Sequence, residues 1–169
     1  VMLREYLDAV AKEERPRRDN CRVVLTGVFC EQPPLNLIKS LELAGCYVVD
    51  DDLLIGLRWI QNDVPLDGDP LLNLAHAYLD DSSYSPVQHD LRKPKEAMLL
   101  QRLQGAGAHA AIITAAKMCE PGLDEQVAYA KALDAARIPY FISEFEENMT
   151  SFDHLQIQLE TFVENLLFV

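Results

Sequence analysis

Short, almost wholly apolar runs alternate with longer amphipathic ones along this chain, and that alternation narrows the possible fold more than any other feature. The runs at 22–26, 47–49, 110–114 and 140–143 combine valine, isoleucine, alanine and aromatic residues and are too short for helices. Around them, residues 2–14, 35–43, 95–103, 123–136 and 151–167 place apolar side chains at helical spacing. Pro33-Pro34 suits the first turn of the second of these helices and Gly45 its end. Gly105-Ala106-Gly107 is expected to end the helix at 95–103, and Thr150 or Ser151 to cap the last one. Strands without a polar face, each followed by a helix, need a parallel sheet covered on both sides. The expected fold class is therefore α/β: a doubly wound, flavodoxin-like three-layer sandwich around a mainly parallel four-stranded sheet of order 2-1-3-4.

The segment 53–90 interrupts this rhythm. Short helices are expected at 54–60 and 70–78, with loops at 62–69 and 81–89. Residues 1–20 read as an N-terminal helix and a connection to an upstream domain, and residues 21–169 as the flavodoxin-like domain. The chain opens at Val1 inside a helical pattern, so we expect a piece of a longer protein whose site is partly elsewhere.

Charge narrows the function. The 15 Lys and Arg against 27 Asp and Glu give a net charge of -12, and the basic residues are scattered, with one small cluster at Arg15-Pro16-Arg17-Arg18. No face can track phosphates, so nucleic acid is excluded as a partner. No apolar run approaches the ~20 residues of a membrane span, and the first 20 residues lack a signal peptide's apolar stretch and cleavage site. A cytoplasmic location without membrane contact is the expectation. A 49% hydrophobic content over 169 residues is enough for one real core.

The four cysteines, at 21, 30, 46 and 119, are widely spaced and form no C-x-x-C pair, which argues for reduced thiols and against a zinc ribbon or thioredoxin-like motif. Cys21 and Cys46 open apolar strands and read as packing residues. Cys30 and Cys119 are different. Each stands in a near-repeated turn, Cys30-Glu31-Gln32-Pro33-Pro34 and Cys119-Glu120-Pro121-Gly122, between an apolar run and an amphipathic one. In a 2-1-3-4 sheet, strands 1 and 3 are neighbours whose connections leave to opposite faces, opening a crevice at the carboxyl ends of the strands. Both thiols would border that crevice, each before a helix N-terminus that favours thiolate. A metal centre and a pair of buried, inert thiols both fit this arrangement. Glu31 and Glu120 read as first-turn carboxylates favoured by the helix dipole, with proton transfer as the functional alternative.

Other motifs mostly exclude. No G-x-G-x-x-G follows strand 1 and no G-x-x-x-x-G-K-[ST] occurs, which removes a nicotinamide site and an autonomous P-loop ATPase. Asp50-Asp51-Asp52 is not a receiver's acidic pocket, because Gly27-Val28 and Lys117-Met118 occupy the positions a receiver needs; it is expected in a loop lining the crevice or capping the next helix. Lys117 reads as a solvated strand-end lysine, or as a contact for an anionic group. His76, His89, His109 and His154 are scattered, and Ser143 and Ser151 lack a His–Asp constellation. No catalytic residue is assigned. Leu155, Leu159, Phe162 and Leu166 form a stripe that packs on the sheet.

The stretches RVVLTGVFCEQPP, AGCYVVDDDLLIGLRW, AAKMCEPG and IPYFISEFEENMTSFDHLQIQLETFVENLL resemble the carboxyl-terminal domain of the benzoyl-CoA reductase and 2-hydroxyacyl-CoA dehydratase family. TGVFCEQPP and VVDDD resemble a benzoyl-CoA reductase subunit more than the dehydratases. The resemblance implies an iron–sulfur catalytic subunit, working with a homologous catalytic subunit and an ATP-hydrolysing iron–sulfur activator that injects single electrons. It implies benzoyl-CoA or a related acyl-CoA as substrate, dearomatised in anaerobic metabolism. It also implies that Cys30 and Cys119 are ligands of a 4Fe-4S cluster, with a further ligand from the amino-terminal domain, so that this piece alone would be inactive. A 2-hydroxyacyl-CoA dehydratase subunit is the alternative within the family, and a non-catalytic flavodoxin-like binding module the alternative outside it.

Overall fold

A computed structural model describes residues 2–14, 16, 18–27, 33–53, 61–81, 94–146 and 148–168. The helix expected at 54–60 and nearly all of the loop expected at 81–89 lie outside them. Four strands, β1 (Cys21–Thr26), β2 (Cys46–Asp51), β3 (Ala110–Ala116) and β4 (Tyr140–Phe145), form one parallel sheet in the order β2-β1-β3-β4. The expected architecture is the observed one. Its order matches burial: β1 and β3 are almost wholly buried and take the two central places, while the more exposed β2 and β4 form the edges.

Strand alternation sorts the side chains into two cores. Cys21, Val23 and Leu25 of β1 face one layer, with Ala110 and Ile112 of β3. There α2 (Leu35–Leu43) contributes Leu37 and Leu41, and α6 (Asp153–Leu167) contributes Leu155, Leu159 and Val163, with Phe162 and Leu166 at its margin. The other face sets Val24, Ala111 and Ile113 against Leu99 and Leu103 of α4 (Lys95–Ala106) and Tyr129 and Leu133 of α5 (Glu120–Ala136). The connection after β1 thus leads to one face and the connection after β3 to the other. Two more helices, α1 (Met2–Lys12) and α3 (Pro70–Leu79), contain no buried residue.

Several boundaries move, for identifiable reasons. β2 takes in Asp50 and Asp51, expected in a loop, and Arg102 of α4 reaches over to the Asp50 carboxylate and the Asp51 carbonyl there. Helix α4 runs through Gly105 and Ala106, and Gly107 is the left-handed C-cap at φ 58°. Helix α5 begins at Glu120, three residues early, because Pro121 falls in the first turn, where a missing N–H costs nothing. Neither Thr150 nor Ser151 caps α6. Phe152 holds that position, buried in the core, while the Ser151 hydroxyl donates to the Asp153 carboxylate at 2.9 Å.

Candidate functional site

The carboxyl ends of β1 and β3 meet as the topology requires. Thr26 is in register with Ile113, and the next residue, Gly27, is buried at φ 93°. A Cβ at Gly27 would lie 2.8 Å from the Thr114 carbonyl oxygen, so only glycine lets β1 turn out this close to β3. Cys30 and Glu31 lie just beyond, outside the described residues. Cys21 and Cys46, by contrast, pair in register at the amino end of the sheet, both fully buried and reduced. Burial, and then the charge of Cys21, push the Cys46 thiol up to about 12, and burial raises Cys21 too. These are packing thiols, as expected.

From β3 the chain passes through a tight turn into α5. The Lys117 N–H donates to the Phe145 carbonyl at 2.8 Å, prolonging the ladder by one bond. Met118 follows at φ 68° with its side chain 86% exposed, and the Cys119 N–H donates back to Ala116 at 3.1 Å. Left-handed backbone in a bulky non-glycine residue stores strain, and it is this residue that aims the next one. Cys119 is the N-cap residue of the 17-residue helix α5, half-buried, and its thiol makes no capping bond to the helix amides. Gly122 is buried beneath it, and a Cβ there would sit 3.4 Å from the Cys119 Sγ. The helix therefore offers a thiol at its positive end with a glycine in the turn below. Such a sulfur suits a soft metal centre. Among the described residues, no group of three or more His, Cys, Asp or Glu side chains is placed to hold a metal ion.

A polar cluster lies against the same edge of the sheet on the α4–α5 face. The Thr26 hydroxyl donates to the buried Asp52 carboxylate at 3.0 Å. Arg102 donates from Nε and Nη2 to the two oxygens of Asp50, at 2.9 Å each, and also to the Asp51 carbonyl. Burial works against the Arg102 charge, but the hydrogen bond and charge of Asp50, followed by Asp52 and Asp51, outweigh it and raise its pKa. Lys95, at the start of α4, lies 3.5 Å from Glu125, whose side chain is 1% exposed on α5. Thr26, Asp52, Lys95, Arg102 and Tyr129 help line a cavity of about 20 Å³, enough for one water. The cluster ties β1, β2, α4 and α5 together near the carboxyl ends of the strands.

Sequence reasoning passed over Lys95, Arg102 and Glu125. The available signal was polar residues on otherwise apolar faces: Arg102 sits between Leu99 and Leu103, and Glu125 shares a face with Tyr129 and Leu133. Other expected residues fall apart in space. Lys117 is exposed and pairs with Glu146 at 2.6 Å; that hydrogen bond raises the lysine's pKa and lowers the glutamate's. His76 meets Asp80, His109 accepts from the Arg22 N–H, and His154 is exposed on α6, while His89 lies outside the described residues.

Fold and site together define a doubly wound α/β domain with a cysteine at the switch point of its sheet. The chain belongs to the 2-hydroxyglutaryl-CoA dehydratase D-component family, whose profile matches residues 1–166. It is 40% identical over 166 residues to a subunit of benzoyl-CoA reductase from Thauera aromatica, covering 98% of this chain and 43% of that protein. It is 29% identical over 150 residues to the beta subunit of lactoyl-CoA dehydratase from Anaerotignum propionicum, covering 88% of this chain and 39% of that one. The chain thus spans less than half the length of either relative. Among the described residues, no helix is long and apolar enough to cross a membrane.

Proposed function

We propose that the chain is the carboxyl-terminal part of an iron–sulfur catalytic subunit of benzoyl-CoA reductase type. The observation that carries this reading is the 40% identity, over nearly the whole chain, to a benzoyl-CoA reductase subunit, against 29% to a dehydratase subunit. On this reading residues 1–20 lead from an upstream domain, and residues 21–169 form a domain whose crevice faces it. Cys30 and Cys119 are two ligands of a 4Fe-4S cluster, and an upstream cysteine supplies a further one. The half-buried thiol at the head of α5 supports that role for Cys119. When bound, the cluster would supply single electrons at low potential for dearomatising benzoyl-CoA or a related acyl-CoA.

The chain's own residues do the positioning. Gly27 lets β1 end close against β3, Met118 shapes the turn that leads to Cys119, and the Arg102–Asp50 and Thr26–Asp52 bonds brace the strand ends. On this reading ATP hydrolysis falls to a separate activator, and the cytoplasmic assembly includes a homologous catalytic subunit as well. Alone, this piece would be inactive.

The family description favours a second reading, a 2-hydroxyacyl-CoA dehydratase subunit. One experiment separates the readings: iron and acid-labile sulfide are measured on anaerobically purified full-length protein, followed by turnover of benzoyl-CoA and of a 2-hydroxyacyl-CoA by the reconstituted complex. We expect iron that is lost in Cys30→Ala with Cys119→Ala, and turnover of benzoyl-CoA. Turnover of the hydroxyacyl thioester alone moves the assignment to the dehydratases. Iron absent from the parent, or retained in the double variant, ends the cluster assignment and leaves a non-catalytic binding module.

A further inference from the structure

Helices α2 and α6 pack side by side on one face of the sheet, each following the carboxyl end of a strand. Between them lies an open cavity of about 400 Å³, bordered by Asn36, Lys39 and Ser40 of α2 and by Thr150, Phe152 and Asp153 at the head of α6. Small-molecule sites run from roughly 300 to 1,000 Å³, so the space is large enough for a ligand.

Ser40 is the unusual residue there. It is only 7% exposed, on the buried stripe of α2 with Leu37 and Leu41, yet its hydroxyl makes no hydrogen bond to any described residue. A hydroxyl withdrawn from water without a partner costs stability, and folded proteins seldom keep one without a reason. Ser40 lines the cavity, so a molecule held there reaches that hydroxyl.

The cavity is also set up for negative charge. No side chain caps α6, because Phe152 holds the N-cap position, and the first-turn amides of this 15-residue helix keep their positive end uncovered. Lys39 is exposed and makes no ion pair with any described residue, in a chain whose net charge is -12. The Asn36 amide donates across to the Thr150 carbonyl at 3.4 Å, linking the two sides. Asp153 is the one acidic residue among those lining the cavity, and its carboxylate accepts the Ser151 hydroxyl at 2.9 Å.

We propose that this cavity binds a phosphate group carried on a larger polar molecule. The α6 amides and the Lys39 ammonium take the charge, and the Ser40 hydroxyl donates to a phosphate oxygen. The space exceeds what a bare phosphate ion fills, and Asn36 and Thr150 offer further hydrogen bonds to whatever bears it. Two sources share this chemistry, free phosphate and the nucleotide end of an acyl-CoA. The second rests on reading the chain as part of an acyl-CoA enzyme.

The test is isothermal titration of full-length protein with inorganic phosphate, coenzyme A and, as the phosphate-free control, pantetheine. We expect phosphate to bind in the millimolar range and coenzyme A at least about tenfold more tightly, with pantetheine the weakest. Lys39→Met should weaken phosphate binding roughly tenfold and Ser40→Ala about threefold to tenfold, while Asp153→Asn should tighten it severalfold by removing a like charge. Ser40→Ala should leave the urea midpoint unchanged or raise it, since the lost hydroxyl had no partner. Equal affinity for phosphate and coenzyme A assigns the site to free phosphate, and tighter coenzyme A to the nucleotide. No phosphate binding at millimolar concentration, or binding indifferent to both Lys39→Met and Ser40→Ala, overturns the proposal. So does a lower urea midpoint in Ser40→Ala, which would make the hydroxyl a structural partner. Lys39-dependent phosphate binding in a protein without iron refutes the enzyme assignment alone, and an active, iron-bearing protein that binds no phosphate refutes the site alone.

Discussion

Replacing Gly27 by alanine tests the close approach of β1 to β3 at the carboxyl ends of the strands. The glycine sits at φ 93°, beyond the range where an L-residue is comfortable, and left-handed backbone costs about 1–2 kcal/mol. The new methyl would stand 2.8 Å from the Thr114 carbonyl oxygen and 3.4 Å from the Ile113 side chain. The oxygen belongs to the central ladder and cannot rotate away, so overpacking adds about 1–3 kcal/mol. Alanine's smaller unfolded-state entropy returns about 0.4–1 kcal/mol. The net loss is therefore about 1–4.6 kcal/mol, and at about 2–4 °C per kcal/mol for a chain of this size the melting temperature falls by roughly 2–18 °C. Urea unfolding followed by far-UV circular dichroism should show a lower midpoint at unchanged slope. Gly105→Ala is the control: it lies inside α4 with nothing within 4 Å of the added Cβ, and should gain about 0.5–1 kcal/mol. If Gly27→Ala is as stable as the parent, or Gly105→Ala is the more damaging, the reasoning from backbone geometry is refuted.

Leu159→Ala empties a fully buried position where α6 meets the sheet and should cost about 2–5 kcal/mol by urea unfolding. Arg102→Met removes a bidentate partner from Asp50 in a pair about one-fifth exposed; we expect a loss of about 1–3 kcal/mol, less than for a fully buried pair, and an increase in amide exchange along β2. Cys46 and Cys21 give a pH dependence. Their folded pKa values lie above the unfolded value of 9.0, so their contribution is complete below pH 9 and is lost as pH rises toward about 12. The melting temperature should fall across that window, and less steeply in Cys21→Ala with Cys46→Ala. Folded but cluster-free protein should also leave Cys21 and Cys46 unlabelled by a thiol reagent at pH 8 while Cys119 reacts.

The sheet order was legible because short, largely apolar strands alternate with amphipathic helices, the pattern of a doubly wound parallel sheet. Cys21 and Cys46 were legible as packing residues because each opens one of these strands. The end of β2 and the start of α6 were not. Asp50 and Asp51 look like loop residues until Arg102 arrives from 52 positions along the chain, and Phe152 displaces the better capping candidates because the core needs its ring. The echo of Cys-Glu-Pro located Cys119, but not the strained Met118 that aims it, nor the Lys95–Glu125 pair beneath. Those depend on which side chains meet across layers.

By itself, the sequence determined the α/β class, the parallel order β2-β1-β3-β4, the family and the turn that carries Cys119. These follow from local hydrophobic pattern and from motifs, which read along the chain. Only the tertiary structure decided that Gly27 must be glycine, that acidic residues could close an edge strand, and that α3 turns its leucines outward. Each of these depends on a distance between residues far apart in sequence, or on the lack of a covering layer, and no local pattern encodes either.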